Sequence, residues 1–420
     1  MIAADQPPRI VTLDIVRGIA VMGILAMNIV AFGLPFQAYM NPAALGPPDT
    51  ADTASWALSF ILIDGKMRGL FSFLFGAGIL LVVQRAEAAG RNPASVHYRR
   101  MAWLLVFGLL HFYLIWFGDI LTGYALIGMV AYLFRNKSVR ELIGWGSGLL
   151  LVQFLIMSGM AIGITFMGQA AAAPGAEPGL VRQWQEMERS FGALTGPQLE
   201  RILTLFRDDW LEIVRHRLTE QGDKPFTGLF AFGWETLAYM TFGMAALKSG
   251  FLRGEWSDRS YRRTLLIGYG VGIPAYALLA WAYHRSGFSM PMTFTLAMTA
   301  TVPFRPLMIV ATAALVILLT RRRGTMVERI AAAGRAAFTN YLGTSILLTS
   351  LFYGYGFGLF GRLGRAELWL VVFAMWALML VWSKPWLDRF EYGPFEWLWR
   401  TLARWEVQPL RRPVAAQIPA

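Results

Sequence analysis

The chain has 420 residues, of which 56% are hydrophobic and 15% are charged. A soluble domain carries roughly 25% charged residues, and a compact soluble fold could not hide this much apolar side chain. The sequence contains no cysteine, which excludes a disulfide framework, a thiolate metal site and a cysteine nucleophile, and no metal is expected. The composition therefore predicts an all-α, polytopic membrane protein.

Apolar segments, taken in chain order, predict about ten transmembrane helices, because a span needs about 20 mostly apolar residues. The first segment is too long for the core of a signal peptide and is interrupted by Asp14 and Arg17, so we interpret it as a span. Residues 54–63 predict a short interfacial helix before the second span. The ten predicted spans are 10–34, 66–84, 101–117, 119–134, 141–168, 227–247, 263–283, 291–320, 337–360 and 366–383.

The positive charges predict the orientation. The two chain ends and the loops on their side carry 24 Lys and Arg, whereas the short loops on the other side carry 3. Cytoplasmic loops are enriched in these residues, so both ends are predicted to be cytoplasmic and the protein to lie in the bacterial inner membrane. The net charge of +12 is then explained by anchors facing anionic membrane lipids, and no nucleic-acid partner is expected.

The predicted organisation has four parts. Residues 1–168 and 227–385 form two five-helix membrane halves. Residues 169–226 form a periplasmic loop whose apolar residues recur at helical spacing, which indicates either a helical cap or a substrate-recognition module. Residues 386–420 form a cytoplasmic tail with an amphipathic, interfacial helix.

Three polar residues interrupt the first span. Asp14 lies one turn before Arg17, within pairing distance, and Asn28 shares a face with Arg17 at about 100° per residue. One interpretation is a polar stripe that faces a cavity. The alternative is an interfacial ion pair together with an asparagine that holds two helices together.

A second polar group begins the second span. Asp64, Lys66 and Arg68 predict either a basic site for an anionic substrate or long side chains that reach from a helix end to the interface. Their depth matches that of Asn28. An ionisable group near the bilayer centre costs several kcal/mol, on the order of 2.5–3.5 on insertion scales, which favours a shared hydrated cavity.

His111, Asp119 and Glu235 are predicted at the same depth, in the third, fourth and sixth spans. A neutral imidazole can abstract a proton near neutral pH, and an acidic neighbour would orient it. We therefore predict His111 as a general base, with Asp119 or Glu235 beside it. The alternative is a histidine that hydrogen-bonds between helices for structural reasons.

Weaker candidates lie in the C-terminal half. Arg305 stands between Pro303 and Pro306, which predicts a locally broken helix that could bind an anion or could be a structural kink. Asn340 and Tyr341 are polar residues near the inner end of the ninth span. The glycine-rich run 354–358 is predicted to permit close helix packing in that span.

Several motifs, spread in order along the chain, resemble those of the YeiB-like bacterial membrane proteins, whose C-terminal half carries a domain of unknown function. The matching motifs are Leu13-Asp-Ile-Val-Arg-Gly-Ile-Ala, Asn28-Ile, Gly69-Leu-Phe-Ser-Phe-Leu-Phe-Gly-Ala-Gly, Trp116-Phe-Gly-Asp-Ile-Leu-Thr-Gly-Tyr-Ala, Asn340-Tyr-Leu and Gly393-Pro-Phe-Glu-Trp-Leu-Trp-Arg.

More distantly, the first motifs are similar to those of the transmembrane acyltransferases, which include sugar O-acyltransferases and heparan glucosaminide N-acetyltransferase. This resemblance implies a bundle of that type and transfer of an acyl group from cytoplasmic acyl-CoA to an acceptor across the membrane. In the O-acyltransferases an arginine is followed after ten residues by a catalytic histidine, and here Arg17 is followed by Asn28. Asparagine cannot act as a general base, so either His111 has taken that role or the reaction differs.

The leading hypothesis is a membrane acyltransferase-like protein with His111, Asp119 and Glu235 as the catalytic group. Acyl-CoA, such as acetyl-CoA, is expected at the inner side, and a small molecule, glycan or lipid is the expected acceptor. The sequence leaves open a permease for a small anionic solute, a lipid-binding protein without turnover, and a homodimer. The predicted acceptor-binding residues are Asn28, Asp64, Lys66, Arg68 and Arg305, and those for acyl-CoA are Asp14, Arg17, Asn340 and Tyr341.

Overall fold

The computed structural model describes residues 10–322 and 324–412, and regular structure in this part is helical apart from one β-bridge between Phe390 and Arg411. The all-α prediction is therefore confirmed. Among the described residues, five helical segments are long and apolar enough to cross a membrane, as a membrane protein requires. These segments are Val11–Gly33, Thr50–Ala88, Val139–Ala171, Asp258–Arg285 and Leu368–Arg389.

The first predicted membrane half consists of seven α-helices. The predicted spans 10–34, 66–84 and 141–168 correspond to single helices, and the predicted interfacial segment 54–63 lies in a longer helix. The helices are α1 (Val11–Gly33), α2 (Phe36–Met40), α3 (Thr50–Leu62), α4 (Lys66–Ala88), α5 (Pro93–Leu110), α6 (Leu121–Ala131) and α7 (Val139–Ala171).

The 169–226 segment is helical and covers one end of the bundle, called here the cap side. Trp210 donates an indole hydrogen bond to the carbonyl of Leu114 at 2.8 Å, and Tyr113 donates to the carbonyl of Gly222 at 2.6 Å. These contacts hold the segment against the end of α5. Its helices are α8 (Pro178–Phe191), α9 (Gly196–Phe206) and α10 (Trp210–Glu220).

The second half contains eight helices, and here two predicted spans differ from the structure. The predicted span 291–320 is broken: a π-helical turn, Thr293–Thr299, is followed by a turn and by a helix that begins at Arg305. The helices are α11 (Lys224–Lys248), α12 (Asp258–Arg285), α13 (Met290–Met292), α14 (Arg305–Leu319), α15 (Thr325–Arg335), α16 (Ala337–Phe352), α17 (Leu368–Arg389) and α18 (Pro394–Arg404).

The predicted span 337–360 was too long at its C-terminal end. The helix stops at Phe352, and the glycine run that follows forms a loop, so the prediction of helix packing by these glycines was wrong. Gly358 and Gly361 have φ values of +64° and +70°, which a helix does not allow and which glycine adopts without strain. A side chain on Gly354 would overlap the backbone of Arg207, so the loop needs glycine there to contact the cap.

Local sequence signals explain where the helices begin. The Asn92 side chain accepts a hydrogen bond from the Ala94 amide at 3.0 Å, with Pro93 in the first turn of α5. Ser138 and Glu141 form a reciprocal capping box at the start of α7. Each of these side chains satisfies backbone amides that have no partner within the helix.

The helices α4 and α11 cross at backbone contact. A Cβ atom on Gly243 would overlap the carbonyl oxygen of Phe73, and one on Gly76 would overlap that of Met240. Small residues at such crossings let apolar helices approach closely in a membrane. This crossing sets the spacing between Arg68 on α4 and Glu235 on α11.

We expect Gly243→Ala to lower stability by about 3 kcal/mol or more, because the overlap is with backbone that cannot move aside. Thermal unfolding of the detergent-purified protein measures this loss. Gly144→Ala is the matched control, since a Cβ there meets no atom within 4 Å and alanine favours a helix by up to about 1 kcal/mol. Equal melting of the two variants would contradict the prediction.

On the side opposite the cap, the break between α15 and α16 is held by a side chain from α18. The carboxylate of Glu396 accepts hydrogen bonds from the backbone amides of Phe338 at 2.6 Å and Thr339 at 3.1 Å. It also accepts from the Thr339 hydroxyl at 2.5 Å. An anion is stabilised at a helix N-terminus, so Glu396 joins the C-terminal amphipathic helix to the first turn of α16.

Candidate active site

His111 begins a π-helical turn, His111–Ile115, at the cap-side end of α5. Its Nδ1 lies 2.9 Å from Oδ1 of Asp119. The other carboxylate oxygen of Asp119 accepts a hydrogen bond from the backbone amide of Thr122 at 2.8 Å. The short connection to α6 thus brings a histidine and a carboxylate together, and both side chains are at most 1% exposed.

The hydrogen bond determines which nitrogen of His111 carries the proton. A carboxylate can only accept, so Nδ1–H donates to Asp119, and in the neutral form of the imidazole Nε2 carries the lone pair. Nε2 is buried and has no hydrogen-bond partner among the described residues. A base that is oriented by a carboxylate and has its second nitrogen unpaired is the arrangement that general-base catalysis uses.

A small, mostly apolar cavity lies beside two aromatic neighbours of the histidine, and His111 itself is not among its lining residues. The His111 ring centroid is 5.2 Å from that of Tyr341 and 6.3 Å from that of Trp116, and both aromatic residues line the cavity. Its volume of about 10 Å³ is enough for about one water molecule. Trp116 Nε1 and Thr344 Oγ1 are buried at its lining residues without a hydrogen-bond partner in the described chain.

Asn28 also lines this cavity. Its side-chain amide makes no hydrogen bond to any described residue, so it does not hold two helices together as one interpretation of the first span predicted. Arg17 and Asp14 form the predicted pair, with Nη1 and Oδ1 3.3 Å apart. Asn28 therefore belongs to the cavity, whereas the ion pair lies eleven residues away, nearer the opposite end of α1.

Glu235 belongs to a different group. Its two oxygens accept hydrogen bonds from Arg68 at 2.8 Å, from Arg305, and from the Tyr239 hydroxyl at 2.7 Å. Arg305 also donates to the Thr301 hydroxyl at 2.6 Å. This Glu235 cluster, made of Arg68, Glu235, Tyr239, Thr301 and Arg305, joins α4 and α11 to the broken helix and carries one net positive charge.

Lys66 and Asp64 lie near the Glu235 cluster with partners of their own. The Lys66 ammonium donates to the carbonyl of Phe60 at 2.7 Å and stands 3.4 Å from the ring centroid of Tyr276. Asp64 accepts from the Tyr39 hydroxyl at 2.7 Å. Lys66 is 1% exposed, so it does not reach from a helix end to water as one interpretation predicted.

The predicted site residues therefore form two groups rather than lining the one shared hydrated cavity that their depth predicted. In residues 10–322 and 324–412, no hydrogen bond joins His111 or Asp119 to the Glu235 cluster. Asp119 orients the histidine, and the carboxylate of Glu235 is occupied by two arginines. These pairings depend on how each helix is rotated about its axis. The depth of a residue in the membrane, which can be inferred from the sequence, does not reveal that rotation.

Asn340 and Tyr341, although adjacent in the sequence, lie in different surroundings. Asn340 donates to the Ala333 carbonyl at 3.0 Å and to the Ser383 hydroxyl at 3.3 Å, and it accepts from the Trp382 indole at 2.9 Å. These bonds connect helices and use both amide donors, so Asn340 is structural here. Tyr341 lies at the histidine instead, where its hydroxyl accepts from the Ile120 amide at 3.2 Å.

Four residues of these groups were not predicted from the sequence: Trp116, Thr344, Tyr239 and Thr301. Trp116 lies in one of the motifs shared with the YeiB-like proteins, and its ring stacks on Phe32 with centroids 3.8 Å apart. Hydroxyl and aromatic residues are frequent in apolar helices, so their spacing carried no signal that distinguished these positions.

Residues 246–406 match the family model described as "Protein of unknown function (DUF418)". The Escherichia coli (strain K12) protein described as "Uncharacterized protein YeiB" is 34% identical over 407 residues, which cover 94% of this chain and 96% of that protein. The chain belongs to the YeiB-like family. The Bacillus subtilis (strain 168) protein described as "Uncharacterized protein YxaH" is 32% identical to this YeiB-like chain and covers 96% of each. No solved structure matches it.

The predicted relationship to the YeiB-like family is therefore confirmed. The DUF418 match spans part of α11, the broken helix, α16 and α18, and includes Arg305 and Tyr341. His111 and Asp119 precede this match. They lie in the part of this YeiB-like chain that is covered by the similarity to YeiB and YxaH and not by the DUF418 model.

Proposed function

We propose that this YeiB-like chain is an acyltransferase of the bacterial inner membrane, which moves an acyl group from acyl-CoA to a hydroxyl or amine of an acceptor. The observation that carries the proposal is the buried pair His111 and Asp119, in which Nε2 has no hydrogen-bond partner among the described residues. Two aromatic neighbours of His111, Trp116 and Tyr341, line a small and mostly apolar cavity. A general base of this kind contributes about 10²–10⁴-fold to a reaction rate.

The proposed topology has about ten spans with both ends in the cytoplasm. The excess of Lys and Arg on that side supports it. In this orientation the cap of α8, α9 and α10 lies in the periplasm, directly over His111. Acyl-CoA would approach from the opposite side, where Arg17 is part-exposed.

The proposed step is general-base acyl transfer. His111 Nε2 takes the proton of the acceptor hydroxyl or amine while that atom attacks the thioester carbonyl carbon. The C–S bond then breaks, and the CoA sulfur leaves with a proton returned by the imidazolium, which Asp119 stabilises. Trp116 Nε1 is a donor without a partner in the described residues. We therefore assign it the stabilisation of the oxyanion in this proposal, instead of Lys66 or Arg68, whose donors have existing partners.

A permease for a small anionic solute is the second candidate. The Glu235 cluster favours it, because Arg305 begins a short helix directly after an interruption in the helix. Transporters use such discontinuous helices near the membrane midplane. Uptake of solute into proteoliposomes that is independent of CoA would favour this function over acyl transfer.

Asp119→Asn tests the proposed enzyme. Transfer of label from radiolabelled acetyl-CoA to a lipid or glycan fraction is measured with the purified protein in membrane vesicles. We expect the variant to lose at least about 10²-fold in rate, because the amide no longer fixes the tautomer of His111 or stabilises its charged form.

The matched control is His97→Gln, since His97 is also buried but bonds a backbone carbonyl, that of Gly128, at 3.0 Å. Its rate per folded molecule is expected to match the wild type. A second readout is thermal stabilisation by CoA, which reaches about 2.7 kcal/mol at a concentration of 100 times Kd. No transfer and no CoA stabilisation in the wild type would remove the proposal.

A further inference from the structure

Arg217 is a buried cation in the cap. It lies on α10, on the face that also buries Ile213 and Val214, and it is 2% exposed. This helix lies outside the membrane-spanning segments, so neither lipid contact nor topology explains the burial of a charge. Arginine remains protonated in proteins, and an unpaired buried charge is strongly destabilising.

The guanidinium of Arg217 is incompletely bonded. Its Nη1 donates to the carbonyl of Tyr113 at 3.4 Å, whereas Nε and Nη2 have no hydrogen-bond partner in the described part of the chain. No carboxylate among those residues forms an ion pair with it. Burial lowers the pKa of Arg217, and the nearby phenols of Tyr353 and Tyr355 only partly oppose this.

A second arginine of the cap, Arg207, shows how the Nε and Nη2 groups of a guanidinium are bonded when an acceptor is present. Arg207 donates from both Nε and Nη2 to the carbonyl oxygen of Phe360, at 2.9 and 2.7 Å. The Nε–Nη2 edge of a guanidinium is a fork that matches the oxygens of a carboxylate or phosphate. In Arg217 this edge is buried without such a partner among the described residues.

Tyr353 supplies a second donor at the same place. Its hydroxyl is buried and close to the Arg217 guanidinium, which opposes the rise that burial causes in the Tyr353 pKa. The hydroxyl makes no well-aligned hydrogen bond to a described residue, and the guanidinium carbon lies 5.9 Å from its ring centroid. A guanidinium whose Nε and Nη2 lack an acceptor and a neighbouring phenol whose hydroxyl lacks one are together suited to an anion with more than one oxygen.

We propose that Arg217 and Tyr353 form a binding site for an oxyanion, a carboxylate or phosphate group, beneath the cap. The site lies close to His111, since Tyr113, which accepts from Arg217, is two residues further along the same π-helical turn. The inference concerns binding alone and stands whether or not the protein transfers acyl groups. Because Arg217 is 2% exposed, the anion enters when α10 moves outward.

Thermal unfolding with inorganic phosphate tests the site. The detergent-purified full chain is titrated with phosphate in chloride buffer of constant ionic strength, and we expect a saturable rise in Tm. Arg217→Gln should abolish the rise, and Arg217→Lys should weaken apparent phosphate affinity by about tenfold, since a lysine lacks the bidentate fork. Arg215→Gln is the matched control, because Arg215 lies on the same helix with an exposed side chain.

The same variants in nanodiscs distinguish a soluble anion from a lipid headgroup. A rise in Tm on adding phosphatidylglycerol to phosphatidylcholine discs, lost in Arg217→Gln, assigns the site to an anionic lipid. A phosphate response in detergent with no such lipid response assigns it to a soluble oxyanion. In phosphate-free buffer Arg217→Gln should melt no lower than the wild type, since it removes an uncompensated charge.

Two outcomes would overturn the proposal: the absence of any stabilisation that depends on Arg217, and a loss of stability in Arg217→Gln that is the same with and without phosphate. If Arg217→Gln does not fold, Tyr353→Phe replaces it, with the phosphate affinity as the readout.

Discussion

Glu235→Ala is expected to destabilise the protein by about 3–5 kcal/mol, the usual effect of removing one partner from a buried ionic group. Glu235 is the only carboxylate that pairs with Arg68 and Arg305 in the described residues. Without it, two guanidinium groups remain in an apolar bundle with like charge facing like charge. The measurement is the thermal midpoint and folded yield of the detergent-purified variant.

The control for this prediction is Glu212→Ala in the cap. Glu212 pairs with Arg215 at 2.7 Å, but both side chains are exposed, so the expected change is within about 1 kcal/mol. Glu235→Gln should fall between the two, since it keeps hydrogen bonding and loses the charge. Wild-type melting of Glu235→Ala would show that water or lipid headgroups already solvate the two arginines.

His111→Gln is expected to abolish acyl transfer, with a rate loss of about 10²–10⁴-fold. Glutamine can donate to Asp119 and roughly fill the space of the imidazole, but it cannot take a proton from the acceptor. We therefore expect the variant to remain folded and to bind CoA as the wild type does. Label transfer from radiolabelled acetyl-CoA measures the first property, and thermal stabilisation by CoA measures the second.

The split between binding and turnover distinguishes a base from a structural histidine. If His111 has only a structural role, the His111→Gln variant should lose stability and CoA binding together with activity. Unchanged transfer by well-folded His111→Gln would remove the proposed base. His97→Gln again serves as the control for replacing a buried histidine.

Contacts that are local in the chain were predictable, and distant ones were not. His111 and Asp119 are eight residues apart on a short connection, so their contact follows from the ends of two adjacent helices. The bond between Arg68 and Glu235 spans 167 residues and depends on the rotation of α4 and α11 at a glycine crossing. Depth in the membrane can be read from a sequence, but lateral neighbours depend on helix packing.

The helices likewise divide into those that could be predicted from the sequence and those that could not. Apolar length predicted α1 and α7 to within a few residues, because a span must match the thickness of hydrocarbon. It failed after Phe352, where a glycine-rich loop is nearly as apolar as a helix. It also did not reveal α15, whose small residues pack so closely on α1 that a Cβ on Gly334 would overlap the backbone of Asp14.

The carboxylate of Glu396 has a mechanical consequence. It holds the amides of Phe338 and Thr339, and Tyr341, two residues further along, contacts the His111 ring. We therefore expect a displacement of α18 to move the first turn of α16, and with it the Tyr341 ring that contacts His111.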